Sequence, residues 1–150
     1  QKEAGMATTI TLIHDYPVSP ERLWQVATNW SCLQEAMKGL VTYYGLPETE
    51  VRAGETVRTE VSIFGITPKS PWVMEVLEHD AAQRILRSHE YGGPVKRWDH
   101  TLSVTATQNG ARLTDAIEID AGLMTPPYAM WGRFMYRKRH GPRLRMLGLR

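Results

Sequence analysis

Between Leu40 and Asp120 the chain falls into six short runs of alternating apolar and polar residues: LVTYYGL, ETVRTEVSIF, PWVMEVLEH, QRILRSHEY, VKRWDHTLSVTA and ARLTDAIEID. The links GITPKS, DAA, GGP and QNG are too short to hold a crossover helix, so the runs they join pair as antiparallel neighbours. A period of two along each run turns one side of the resulting sheet to a core and the other to solvent. This stretch therefore predicts a six-stranded antiparallel meander, and the two ends of the chain must cover its buried face.

The N-terminal end opens with TTITLIHDYP, an alternating strand that stops at Pro17. VSPERLWQVATNW follows with an N-cap at Ser19, proline at the first helical position and apolar Leu23, Trp24, Val26 and Ala27. Ser31 is expected to restart a second short helix through CLQEAMK, ended by Gly39, with Asn29 and Trp30 at the corner. After Asp120, AGLMTPP breaks the strand pattern and YAMWGRFMYRKRH returns at helical spacing. Tyr128, Trp131 and Met135 share one stripe there, with Met130 and Phe134 beside it. Gly141 and Pro142 end or kink this long amphipathic helix.

The last hairpin can be assigned a register. A two-residue turn at Asn109 and Gly110 sets Val104 opposite Asp115, Leu102 opposite Ile117 and His100 opposite Ile119. Trp98, His100 and Asp115 then point inward. In this register His100 and Asp115 are four residues apart along the ladder, roughly 13 Å at about 3.3 Å per residue, which argues against direct contact. A tight GGP link places Arg87 opposite Trp98 and His89 opposite Lys96, gathering Arg87, His89, Lys96, Trp98 and His100 on one surface. A slip of one residue would turn Arg87 and His89 outward instead.

At 150 residues and 42% hydrophobic content the chain suits one globular domain, expected over 8–150, with 1–7 as an N-terminal extension. Gln1–Gly5 is expected to be an added or trimmed segment and Met6 a natural start. No run approaches a membrane span and the start lacks the apolar stretch of a signal peptide, so a soluble cytoplasmic protein is expected. Net charge is +2, yet residues 133–150 hold seven Lys or Arg and no acid. That basic end suits the solvated side of a helix, or an anionic partner. Lone Cys32 excludes an intrachain disulfide, and it has no basic neighbour to favour a thiolate. The five His are scattered without His-x-His or His-x-x-x-His spacing, so no metal is expected. There is also no phosphate loop, serine nucleophile elbow or paired carboxylate, and no cofactor or nucleic-acid partner is expected.

One strand, two short helices, six antiparallel strands and a long C-terminal helix is the element order of the helix-grip fold, an α+β architecture. VSPERLWQVATN resembles the entry of START-like (SRPBCC) proteins. GGPVKRWDHTLSV followed by NGARLTDAIEI is similar to the glycine-proline, Trp-x-His and Leu-Thr-Asp pattern of a bacterial branch that includes polyketide cyclase and dehydrase proteins. The resemblance covers roughly residues 8–148. It implies a curved sheet of about seven strands wrapped around the last helix, with a cavity between them, and leaves function open among carriers, receptors, enzymes and regulators.

Trp72, Met74 and Val76 alternate on one strand and join Tyr43, Trp98, Tyr128, Trp131 and Met135 in a large aromatic and methionine surface. Five Trp, six Tyr and seven Met against two Phe suit an adaptable pocket better than a tightly specified core. Candidate ligand contacts are therefore Tyr43, Trp72, Met74, Arg87, His89, Trp98, His100, Asp115, Tyr128, Trp131 and Met135. Three functions follow. The domain binds a hydrophobic or aromatic small molecule; or it is a cyclase or dehydrase with His100 as acid or base and Arg87 or Lys96 stabilising an enolate; or it is a regulatory protein docking through YRKRHGPRLR. His100 fits the first reading as a structural wall residue and the second as a catalytic one.

Overall fold

The structure, a computed structural model, describes residues 7–149. The expectations for Gln1–Gly5 and Met6 lie outside the described residues. Each element forms where its local pattern directs. Strand β1 (Thr8–Tyr16) ends at Pro17. In α1 (Pro20–Ala27) the Ser19 hydroxyl accepts from the Arg22 amide, satisfying one of the helix's free N–H groups, and Leu23, Trp24 and Val26 turn to the core. Helix α2 (Trp30–Ala36) is capped by Asn29 rather than Ser31, since the Asn29 side chain accepts from both the Ser31 and Cys32 amides. Strands β2 (Val41–Tyr44), β3 (Thr56–Ile63), β4 (Ser70–Asp80), β5 (Ile85–Gly92), β6 (Val95–Thr107) and β7 (Gly110–Asp120) form the meander. A 3-10 turn (Gly122–Met124) leads into α3 (Thr125–Lys138) and α4 (His140–Met146). The break between these helices falls where Pro142 has no N–H to return to the Lys138 carbonyl.

The seven strands make one sheet in the order β1-β7-β6-β5-β4-β3-β2, and α3 lies against its concave face. This is the helix-grip fold, α+β, with two short helices after the first strand. Strand β1 pairs antiparallel with β7, from Thr8 opposite Ile119 to Tyr16 opposite Ala111. Helices α1 and α2 then carry the chain to the far edge, where β2 begins.

Two features tilt α3 and open a space beneath it. Ala129 and Gly132 are buried against the sheet, and a Cβ on Gly132 would stand 2.9 Å from Ile10 Cδ1 and 3.1 Å from Trp98 Cη2. These small residues let the helix down onto β1, β6 and β7. On the other flank Tyr128, Trp131 and Met135 hold it away from β2, β3 and β4. The buried stripe is thus Thr125, Ala129, Gly132, Met135 and Tyr136, while Met130 and Phe134 face outward.

Two strand registers differ from those expected. The last hairpin turns at Gln108 and Asn109, with Gly110 already opposite Thr107. Gly110 is glycine because a Cβ there would lie 2.1 Å from the Tyr16 carbonyl oxygen, and not because the turn needs it. The shift keeps Trp98, His100 and Asp115 on the inner face but sets His100 opposite Ile117 and Asp115 opposite Leu102. In the GGP hairpin Gly92 pairs with Val95, so the turn is Gly93 and Pro94. A bulge follows, with Tyr91 on β5 facing two residues, Lys96 and Arg97, on β6. That extra residue reverses the parity of β5. Glu90, not Arg87, stands opposite Trp98, and Arg87 stands opposite Thr101.

Candidate functional site

The space between α3 and the β2–β4 side of the sheet is a cavity of about 350 Å³. Its wall is chiefly apolar and aromatic: Val41, Val61 and Ile63 from β2 and β3, Trp72 and Trp98 from β4 and β6, and Tyr128, Trp131 and Met135 from α3. Gly92, Gly93 and Pro94 line it from the β5–β6 turn. The Trp98 ring meets Trp72 edge-on, centroids 6.0 Å apart, and its Nε1 donates to the Tyr136 hydroxyl at 3.2 Å. A smaller void of about 60 Å³ adjoins Trp30, Met74, Val76, Ser88 and His100. Tyr43, Glu90, Tyr136 and Arg139 line both spaces and so stand at their boundary.

Polar chemistry at this boundary is sparse and well supported. Glu90 Oε1 accepts from Trp72 Nε1 at 3.0 Å and Oε2 accepts from Ser88 Oγ at 2.9 Å. Nε2 of His100 and Oδ1 of Asp115 are 2.7 Å apart. Burial alone would raise the Asp115 pKa; the His100 hydrogen bond and the charges of Arg143 and Arg139 overcome this and hold it below the usual carboxylate value. Burial raises the phenol of Tyr43 to about 12, and it also raises that of Tyr136, so both remain hydrogen-bond donors across the working pH range.

Six of the candidate residues, Tyr43, Trp72, Trp98, Tyr128, Trp131 and Met135, face the large cavity. Met74 and His100 face the smaller void. Asp115 lines neither and touches the site through His100, so the direct contact that the expected register argued against is present. Arg87 and His89 are displaced to the outer face by the bulge. There Arg87 Nε donates to Glu78 Oε1 at 2.8 Å, and His89 Nδ1 lies 2.5 Å from Asp99 Oδ1. Lys96 sits on the bulge and is exposed. The outer face is thus a solvated ion network and not a lining for the cavity.

Glu90, Tyr136 and Arg139 were not anticipated. Glu90 lies two residues from Ser88 and four from Leu86 on the inward parity of β5, which only the bulge reveals. Arg139 carried a visible signal, since it continues the Trp131 and Met135 stripe at intervals of four. Arg137 and Lys138 beside it are exposed, whereas Arg139 and Arg143 are buried, so the basic segment is not simply a solvated face. Burial pushes the Cys32 thiol pKa up, the reverse of an activated nucleophile. No group of side chains among the described residues is arranged to hold a metal ion, and no helix among them is long and apolar enough to cross a membrane.

No protein-family model matches the sequence, and no curated protein matches it. Solved structures do resemble the fold. Protein CV1439 from Chromobacterium violaceum aligns with a TM-score of 0.74 at 16% identity, over 93% of this chain and 96% of that one. A protein from Rhodobacter sphaeroides aligns with a TM-score of 0.75 at 15% identity, over 94% and 93%. Ara h 8.0201 aligns with a TM-score of 0.67 at 10% identity, over 92% and 98%. At such identities the likeness is one of fold, and the fold it supports is the helix grip.

Proposed function

We propose that the protein binds a hydrophobic or aromatic small molecule in the cavity between the curved sheet and α3. The observation that carries this reading is the cavity itself, about 350 Å³ with an aromatic and aliphatic wall and few polar groups. That is the size and character of ligand pockets in general. Gly132 on one flank and the bulky Trp131 and Met135 on the other hold the space open as part of the packing. The test is titration with a neutral apolar dye, 1-aminoanthracene, read by its fluorescence. Saturable binding of one equivalent is expected. Val61→Trp, which fills the cavity from β3, should weaken binding by at least about tenfold. Unsaturable binding, or a filled variant that binds equally well, would count against the reading.

A second reading draws on the His100–Asp115 contact and on the likeness to the polyketide cyclase and dehydrase branch. A histidine held by a buried carboxylate has the arrangement of a general base and its orienting group, and His100 borders the smaller void. In this reading the cavity positions a reactive chain and His100 moves one proton. Lys96 and Arg87 have no part in it, since both lie outside the cavity. Against a panel of β-ketoacyl substrates, His100→Gln should abolish turnover while leaving dye affinity nearly unchanged. An unchanged rate would remove His100 as acid or base.

A further inference from the structure

Arg139 is 7% exposed, closes α3 as its C-cap and lines both spaces. A guanidinium stays charged throughout the working pH range, and withdrawing it from water is costly unless an anion or a full set of acceptors replaces the water. Its immediate neighbours here are neutral. Nε donates to Met37 Sδ at 3.0 Å, and the Tyr136 ring centroid lies 4.1 Å from the guanidinium carbon. Among the described residues no carboxylate forms an ion pair with Arg139. Glu90 shares both spaces, but its two oxygens accept from Trp72 and Ser88. Asp115 is engaged by His100. These two acids act on Arg139 only through space.

Two further donors flank the guanidinium. The Tyr43 hydroxyl makes no hydrogen bond among the described residues, and the Tyr136 hydroxyl, which accepts from Trp98, keeps its own proton to donate. A planar cation and two phenols at the edge of an apolar cavity form an incomplete anion site. A carboxylate would complete it, taking two N–H groups in fork geometry. We infer that the ligand is an apolar or aromatic carboxylate, its head paired with Arg139 and hydrogen-bonded by Tyr43, its body against Trp72, Trp98 and Trp131. This inference rests on the small-molecule reading above and adds the chemical class of the ligand.

The test uses matched probes that differ only in the head group: decanoate against decan-1-ol, and 2-naphthylacetate against 2-(2-naphthyl)ethanol, titrated calorimetrically at neutral pH. The intact protein should prefer the acid of a binding pair by at least about tenfold, the worth of one charge-assisted hydrogen bond. Arg139→Met should lose that preference while still binding the alcohol, and Arg139→Lys should keep part of it. Equal or tighter binding of the alcohols by the intact protein overturns the inference and leaves the cavity reading standing. So does an acid preference that survives in Arg139→Met. Failure of every probe overturns the cavity reading and the inference together. Should Arg139→Met not fold, the acid-to-alcohol ratio of the intact protein decides the matter alone.

Discussion

His100 Nε2 and Asp115 Oδ1 lie 2.7 Å apart, and the two residues keep only 8% and 1% of their surface exposed. They sit on neighbouring strands, displaced by two residues along the ladder, a diagonal that long side chains can span. The charges of Arg143 and Arg139 also act on Asp115 through space. Asp115→Ala therefore leaves the buried His100 Nε2 without its partner, and is expected to cost about 1–3 kcal/mol in urea unfolding. Asp115→Asn, which keeps a hydrogen-bonding oxygen, should cost less. A loss below about 1 kcal/mol for the alanine variant would show that the contact carries little of the fold's stability.

His14 supplies a pH dependence with a definite sign. Burial first, then the charges of His140 and Arg143, lower its pKa below the ordinary 6.5, against an opposing effect of Asp115 that is larger than the lowering by Arg137. Its Nδ1 is buried without a hydrogen-bond partner among the described residues, and its ring stacks on His140 with centroids 4.8 Å apart. The unfolded chain thus takes up a proton near pH 6.5 that the folded chain refuses, so this contribution is complete above that pH and is lost as pH falls toward the folded value. Unfolding midpoints measured from pH 7.5 to 5 should fall, and His14→Gln should flatten the slope. A slope unchanged in the variant would assign the effect elsewhere.

Gly110 is set by close approach. A methyl group there meets the Tyr16 carbonyl at 2.1 Å and Pro17 Cα at 2.9 Å, both of them backbone atoms that cannot swing aside. Gly110→Ala should destabilise by about 1–3 kcal/mol, the usual range for overpacking. Gly141→Ala provides the contrast, with its nearest atom, in the flexible Arg145 side chain, 4.0 Å away and a helical position. It should be neutral or stabilise by up to about 1 kcal/mol in thermal unfolding.

Tyr136 joins α3 to the sheet through one polar contact, its hydroxyl accepting from Trp98 Nε1 at 3.2 Å. Tyr136→Phe removes the acceptor and leaves a buried indole N–H unsatisfied, at a cost of about 1–3 kcal/mol. The change also removes a phenol from the cavity boundary. Dye titration alongside unfolding separates the two effects.

What could be read from the sequence was local or periodic. Alternation located the seven strands, and Ser19 with Pro20 marked the start of α1, because those signals sit within the segments they govern. The errors came from single residues that alter long-range register. Whether Gly110 closes a turn or opens β7 depends on the Tyr16 carbonyl, which β1 brings alongside from the other end of the chain. The bulge at Lys96 and Arg97 has no marked sequence signature, yet it moves Arg87 and His89 to the outer face and brings Glu90 in. Arg139 and Arg143 were passed over for a different reason. In a run as basic as YRKRHGPRLR, composition suggests solvent, while helical position assigns two of its members to the interior.

The central claim is that the cavity holds a small molecule, and native mass spectrometry tests it most directly. Spectra would be taken of the protein alone and after exposure to 1-aminoanthracene, for the intact chain and for Val61→Trp. The account predicts one bound small molecule per intact chain, either carried through purification or taken up from the dye, and a strongly reduced adduct in the filled variant. A clean protein mass under every condition, or an equal adduct on both proteins, would contradict it.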